Sequence, residues 1–177
     1  MTDLDFNVRT LSKGDVPACL ELFNELQINS GHNYSISAHC IEYCIMSGKS
    51  KGVFFEEGVL NGFIPIFDYN DCRTNSKPIF NDIFGIEGKR IPDGETVHVR
   101  LLCVVDKKIL FLLNPVIRDG FEKQDAVNGI LTKVLREHSG VILASNVSCR
   151  ENSDIFKAFG FNCNSIGGNR FFAIKSN

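Results

Sequence analysis

Residues 109–138, ILFLLNPVIRDGFEKQDAVNGILTKVLREH, set an apolar strand, a polar bend and a long amphipathic helix in direct succession. Ile109 to Leu113 reads as the strand, and Arg118-Asp119-Gly120 as the bend. Ala126, Val127, Ile130, Leu131, Val134 and Leu135 then fall on one helical face. A strand that feeds a glycine-containing bend and a helix aims free backbone N–H groups at whatever lies above the bend, an arrangement suited to phosphate. Most turns of this kind bind nothing, so the remainder of the chain decides.

Before this segment, Phe6 to Leu11 alternates apolar and polar and predicts a first strand. Asp15 is the expected cap of the next helix, whose apolar face is Val16, Cys19, Leu20, Phe23 and Leu26. A second helix is expected from a cap at Ser35 or Ser37, with Cys40, Ile41, Cys44 and Ile45 inward and a stop at Gly48. Val53 to Phe55 and Val59 to Phe67 flank Glu57-Gly58 as a hairpin. Residues 70–95 form the least regular stretch, in which Pro78 to Phe84 is either a short helix or an apolar tuck. Val97 to Val105 is β-prone.

After the long helix, Gly140 is the expected terminator and Val141 to Ala144 a strand buried on both faces. Ser148 and Glu151 have the spacing of a capping box opening a short helix, and Phe161 to Ile174 reads as a final hairpin broken at Gly167-Gly168-Asn169. The pattern predicts one α/β domain over residues 1–177, with roughly six to eight strands in a mixed sheet and about four main helices.

Composition removes several functions. A formal charge of −2 and scattered lysines argue against nucleic-acid binding. No window is apolar enough for a membrane span, and the start lacks the basic and apolar regions of a secretory signal. The seven cysteines are odd in number and mostly lie in apolar patterns, so reduced thiols in the cytoplasm are expected. Cys40 and Cys44 with His39 have one helical spacing used by metal sites, but the apolar stripe around them favours core, and no metal is expected. Oligomeric state is not legible.

Two stretches resemble the GCN5-related N-acetyltransferase (GNAT) family. Asn114-Pro115-Val116-Ile117-Arg118-Asp119-Gly120 is similar to that family's pyrophosphate loop, with Gly120 one place early and Phe121, Glu122 and Lys123 where further glycines are usual. Ile155-Phe156-Lys157-Ala158-Phe159-Gly160-Phe161 is similar to the family's late helix, with Phe156 at the position of a tyrosine that serves many members as general acid. The order of elements agrees over nearly the whole chain.

The resemblance implies an acyl-CoA N-acyltransferase-like fold with a mixed, mostly antiparallel central sheet flanked by helices. It implies binding of acetyl-CoA or CoA and transfer to a small amine or peptide amine. The implied coenzyme contacts are the backbone of Arg118, Asp119, Gly120, Phe121, Glu122 and Lys123 for the pyrophosphate. Leu113 and Asn114 would line the pantetheine arm, with Asn146 and the out-of-register Asn152 opposite. An acceptor pocket is expected from the first two helices and residues 70–95. For a base that deprotonates the amine, Glu95 and His98 are the candidates in or near a central strand. The alternative is a catalytically inactive domain of the same fold that acts by binding a protein or a small ligand, because phenylalanine has no proton to give.

Overall fold

The computed structural model describes residues 7–29, 36–55, 58–84, 106–147, 150–167 and 170–177. The first strand, β1 (Asn7–Thr10), is followed by a 3-10 turn at Lys13–Asp15 and then α1 (Val16–Asn29). Asp15 does not cap α1 with its side chain as expected. Its carboxylate accepts from Ser12 N at 2.8 Å and from Arg9 at 2.6 and 2.9 Å, closing the turn below α1. Helix α2 (Ala38–Met46) takes Ser37 as its cap and buries Cys40, Ile41, Cys44 and Ile45, as the periodicity predicts.

The expected hairpin forms between β2 (Lys51–Phe55) and β3 (Val59–Ile64), but the predicted long strand is cut at Pro65, and β4 (Ile66–Asp68) joins a different sheet. Proline has no N–H for a ladder, so the chain changes partners there. Two helices, α3 (Tyr69–Asn75) and α4 (Lys77–Phe84), occupy much of the stretch expected to be irregular. Asp68 caps α3 by accepting from Asp71 N at 2.9 Å, and Ile79, Phe80, Ile83 and Phe84 give α4 its buried face. Residues 85–105, with the β-prone run from Val97, lie outside the described residues.

The second half is β5 (Ile109–Leu112), β6 (Val116–Ile117), α5 (Lys123–Glu137), β7 (Ile142–Val147), α6 (Arg150–Ala158), β8 (Asn162–Gly167) and β9 (Arg170–Ser176). Strand order is β1-β2-β3-β6 in one sheet and β4-β5-β7-β9-β8 in the other. Among the described pairings only β5 with β7 is parallel, so the sheet is mixed and mostly antiparallel, as expected.

Strand alternation sorts the core onto two faces. Leu110 and Leu112 turn toward α5 and α6, where Val127, Ile130, Leu131 and Phe156 meet them. Ile109, Phe111 and Leu113 turn the other way, toward Phe67, Tyr69, Phe80 and Phe84 around α3 and α4. At one flank the buried Lys51 ammonium donates to Thr10 Oγ1 at 2.6 Å and pairs with Glu137, tying the end of α5 to the sheet. Asn177 Nδ2 donates to the Leu135 and His138 carbonyls at 2.7 Å each, satisfying acceptors that the last turn of α5 leaves open.

Candidate functional site

The parallel ladder between β5 and β7 lasts four residue pairs, from Ile109–Ile142 to Leu112–Ser145. At its last rung the buried Ser145 hydroxyl donates to the Leu112 carbonyl at 2.8 Å. The strands then part. Leu113 N–H turns to the Pro65 carbonyl at 2.9 Å, Pro115 has no N–H to offer, and Val116–Ile117 pair with β3 in the other sheet. On the far side Asn146 and Val147 pair only with β9 among the described residues. Gly62 holds β6 in place: an added Cβ would lie 2.5 Å from Ile117 Cδ1 and 3.2 Å from the Val116 carbonyl. The result is a fork between the β6 and β7 arms.

Beyond β6 the chain turns into α5. Arg118 N–H donates to the Asn61 carbonyl at 2.8 Å, and Phe121 N–H to the Arg118 carbonyl at 3.2 Å. Gly120 takes φ +79°, a left-handed conformation that other residues adopt at a cost. Phe121 packs its half-buried ring edge-on to Phe55, 6.1 Å between centroids. Helix α5 opens at Lys123 with Glu122 as an N-cap that makes no side-chain bond, and its first backbone bond is Ala126 N–H to the Glu122 carbonyl at 3.0 Å. The amides of Gly120, Glu122 and Lys123 therefore have no acceptor among the described residues, and they share the positive end of the α5 dipole. Of the six expected loop amides, those of Arg118 and Phe121 are already engaged.

The Arg118 side chain is engaged by other elements. Its NH1 nitrogen donates to both Glu25 oxygens, at 3.1 and 2.8 Å, and NH2 reaches the Leu60 carbonyl at 3.4 Å. Its Nε is buried and has no acceptor among the described residues. Asp119 and Glu122 are exposed at the turn, so carboxylates outnumber lysines there.

On the β7 side, the Asn146 side-chain oxygen is buried with no donor to meet it among the described residues. Asn152 and Ser153 are both buried on α6, and Ser153 Oγ lacks a partner among the described residues although the residue is fully enclosed. Ser153 was not singled out in the sequence. The signal was a hydroxyl beside the apolar stripe Ile155, Phe156 and Phe159, where the helical period calls for burial. Phe156 is enclosed with its ring 4.9 Å from that of Phe161, so the tyrosine position belongs to the core. Leu113 is buried and Asn114 half-buried at the mouth of the β6 arm. Between α5 and α6 a cavity of about 280 Å³ has Ile155 and Phe159 at its floor and Gln124, Asn128, Glu151 and Asp154 at its rim. Glu95 and His98 lie outside the described residues.

Two other sequence features have structural explanations. Cys40 donates to Asp82 at 2.9 Å and Cys44 is fully buried, and no group of metal-ligating side chains forms among the described residues. No described helix is long and apolar enough to cross a membrane.

No family model matches this sequence, and no curated protein does. Solved structures match over almost their full length. An acetyltransferase of the GNAT family from Listeria monocytogenes superposes with a TM-score of 0.60 at 16% identity, covering 99% of this chain and 97% of that one. The fold is that of the GNAT acetyltransferases. Arylalkylamine N-acetyltransferase 2 from Aedes aegypti gives 0.67 at 11% identity, covering 97% of this chain and 99% of that one. Diaminobutyrate acetyltransferase from Paenibacillus lautus, solved with L-2,4-diaminobutyric acid and coenzyme A, gives 0.58 at 14% identity, covering 98% and 96%. At these identities the likeness carries the GNAT fold; residue roles rest on the geometry above.

Proposed function

We propose that this chain is a divergent GNAT-superfamily N-acyltransferase that takes acetyl-CoA as donor and a small amine or peptide amine as acceptor. The observation that carries this reading is the parting of β5 and β7 after Leu112–Ser145, directly before a turn whose amides at Gly120, Glu122 and Lys123 are open. A pantetheine arm is a narrow chain with amide groups, suited to a gap between two strands. The unmatched Asn146 oxygen is available to accept one of its N–H groups. Pyrophosphate suits the open amides at the head of α5. The neighbours from Aedes aegypti and Paenibacillus lautus bear the names of amine acetyltransferases, which supports an amine as acceptor here.

In the reaction the amine lone pair forms a bond to the thioester carbon, the carbon–sulfur bond breaks, and the thiolate leaves with the electron pair. The amine nitrogen must shed a proton, for which Glu95 and His98 remain the proposed bases. In this reading the protein works in the cytoplasm with its thiols reduced.

A second reading keeps the donor site without the chemistry. It is favoured by Phe156, a core residue where a proton donor is usual. One experiment separates the two. Acetyl-CoA at roughly 100 times its Kd should stabilise the protein by about 2.7 kcal/mol, a rise in melting temperature of about 5–10 °C for a chain of this size. Free-thiol release from acetyl-CoA across a panel of amines then reports turnover. A shift with turnover supports the enzyme, and a shift without turnover supports the binding domain. Absence of any shift with CoA or acetyl-CoA rejects both.

A further inference from the structure

Arg118 is rooted at the donor turn yet committed to another element. Its N–H is held by the Asn61 carbonyl and its carbonyl by Phe121 N–H, so its backbone is fixed and only the side chain is free to swing. The guanidinium rests on Glu25 of α1, with side chains 35% and 38% exposed, respectively. A pair that open to water gains little from its Coulomb attraction. The position is also incompletely matched, because Nε is buried without an acceptor among the described residues. Two residues further on begin the open amides of Gly120, Glu122 and Lys123. A pyrophosphate placed on them would bring negative charge beside Asp119, Glu122 and Asp125, with Lys123 the nearest cation along the chain. Phosphate oxygens offer an arginine fork a stronger partner than a solvated carboxylate.

We infer that the Arg118–Glu25 pair couples the donor turn to α1: phosphate arriving at the turn draws the guanidinium off Glu25 and frees the C-terminal half of that helix. This rests on the donor reading above and adds its regulation. Leu22, Phe23 and Leu26 hold α1 in the core, while Glu25 ties its outer side to Arg118, which also meets the Leu60 carbonyl of β3. Loss of that tie changes the last turns of α1 and leaves its packed face in place. Because coupling is reciprocal, Glu25 must oppose donor binding to the same degree that the donor loosens α1.

The test compares wild type, Glu25→Gln and Arg118→Lys for CoA affinity by calorimetry and for hydrogen exchange across residues 16–29. The expected result is that Glu25→Gln binds CoA about 5-fold more tightly, with fast exchange at residues 25–29 before ligand is added and no further rise on binding. Wild type shows the rise only with CoA. Arg118→Lys keeps the charge but loses the planar fork, and it should bind CoA more weakly than wild type. If wild type binds CoA while Glu25→Gln has equal or lower affinity and α1 exchange ignores the ligand, the pair is a static clamp and the coupling is rejected, with the donor site intact. If neither wild type nor Glu25→Gln binds CoA, the donor reading and the coupling fall together.

Discussion

The buried Ser145 hydroxyl donates to the Leu112 carbonyl at 2.8 Å, at the last rung that β5 and β7 share. That bond stands where the fork begins, so its removal tests how firmly the branch point is set. Ser145→Ala should cost about 1 kcal/mol, a fall in melting temperature of about 2–4 °C, read by calorimetry. Hydrogen exchange should rise at Asn146 and Val147 more than at Ile142. A uniform rise along β7 would mean that Ser145 supports the strand as a whole.

Gly120 is the left-handed residue of the donor turn, and an added Cβ would meet nothing within 4 Å. Gly120→Ala therefore isolates backbone strain from collision. Urea denaturation should show a loss of about 1–2 kcal/mol. CoA affinity should fall alongside, since the open amides are its own and those of Glu122 and Lys123 just after it. Unchanged CoA affinity at the reduced stability would place the phosphate elsewhere.

Acid should weaken the fold in two steps. Burial, then nearby Lys51 and Lys49, hold His138 below its ordinary value of 6.5, so between the folded value and 6.5 the unfolded chain binds more protons. Stability then falls as pH drops through that window. Burial pushes the Glu137 carboxyl up, but hydrogen bonds from Lys51 and Lys133 outweigh it and the net shift is downward. The Arg9 guanidinium likewise holds Asp15 far below the usual carboxylate range. Both contribute stability that is complete above the unfolded carboxylate values and is lost as pH falls through the folded ones. Urea midpoints from about pH 8 to about pH 3 should show both steps, and His138→Gln should remove the upper one alone. An upper step that survives in His138→Gln would assign it to another group.

Buried thiols should resist modification. Burial pushes Cys19 and Cys40 up to about 12 and Cys72 to about 11, and Cys44 well above its ordinary value. Little thiolate exists at neutral pH, and the sulfurs are enclosed. Mass mapping after a brief exposure to Ellman's reagent should leave these four unlabelled in the folded protein. Labelling of Cys40 at the rate of a free thiol would show that the contact between α2 and Asp82 of α4 opens readily.

Much of this fold was legible because period and punctuation agreed. The stripe from Ala126 to Val134 gave α5, the alternation around Val53 gave the hairpin, and Gly48 and Gly140 marked ends with positive φ. The miss at residues 69–75 has a plain cause. Asp68 closes a strand and caps a helix at once, and the polar run Asn70 to Asn75 hides a seven-residue helix with only Tyr69 and Cys72 inward. Pro65 divides β3 from β4 and thereby sets up the fork, a break that the apolar run from Val59 to Phe67 conceals. At the site, the turn at Gly120 followed from local sequence. The Arg118–Glu25 pair did not, because its partners are 93 residues apart and half-buried on different elements, and no periodicity links them.

The lower end of the fork is held where Asn177 bridges the last carbonyls of α5 and the Ile142 amide reaches back to Lys108. With Arg118 N–H on the Asn61 carbonyl, the β6 arm is pinned at its other end too, so the protein itself sets the width of the mouth and a guest must fit it.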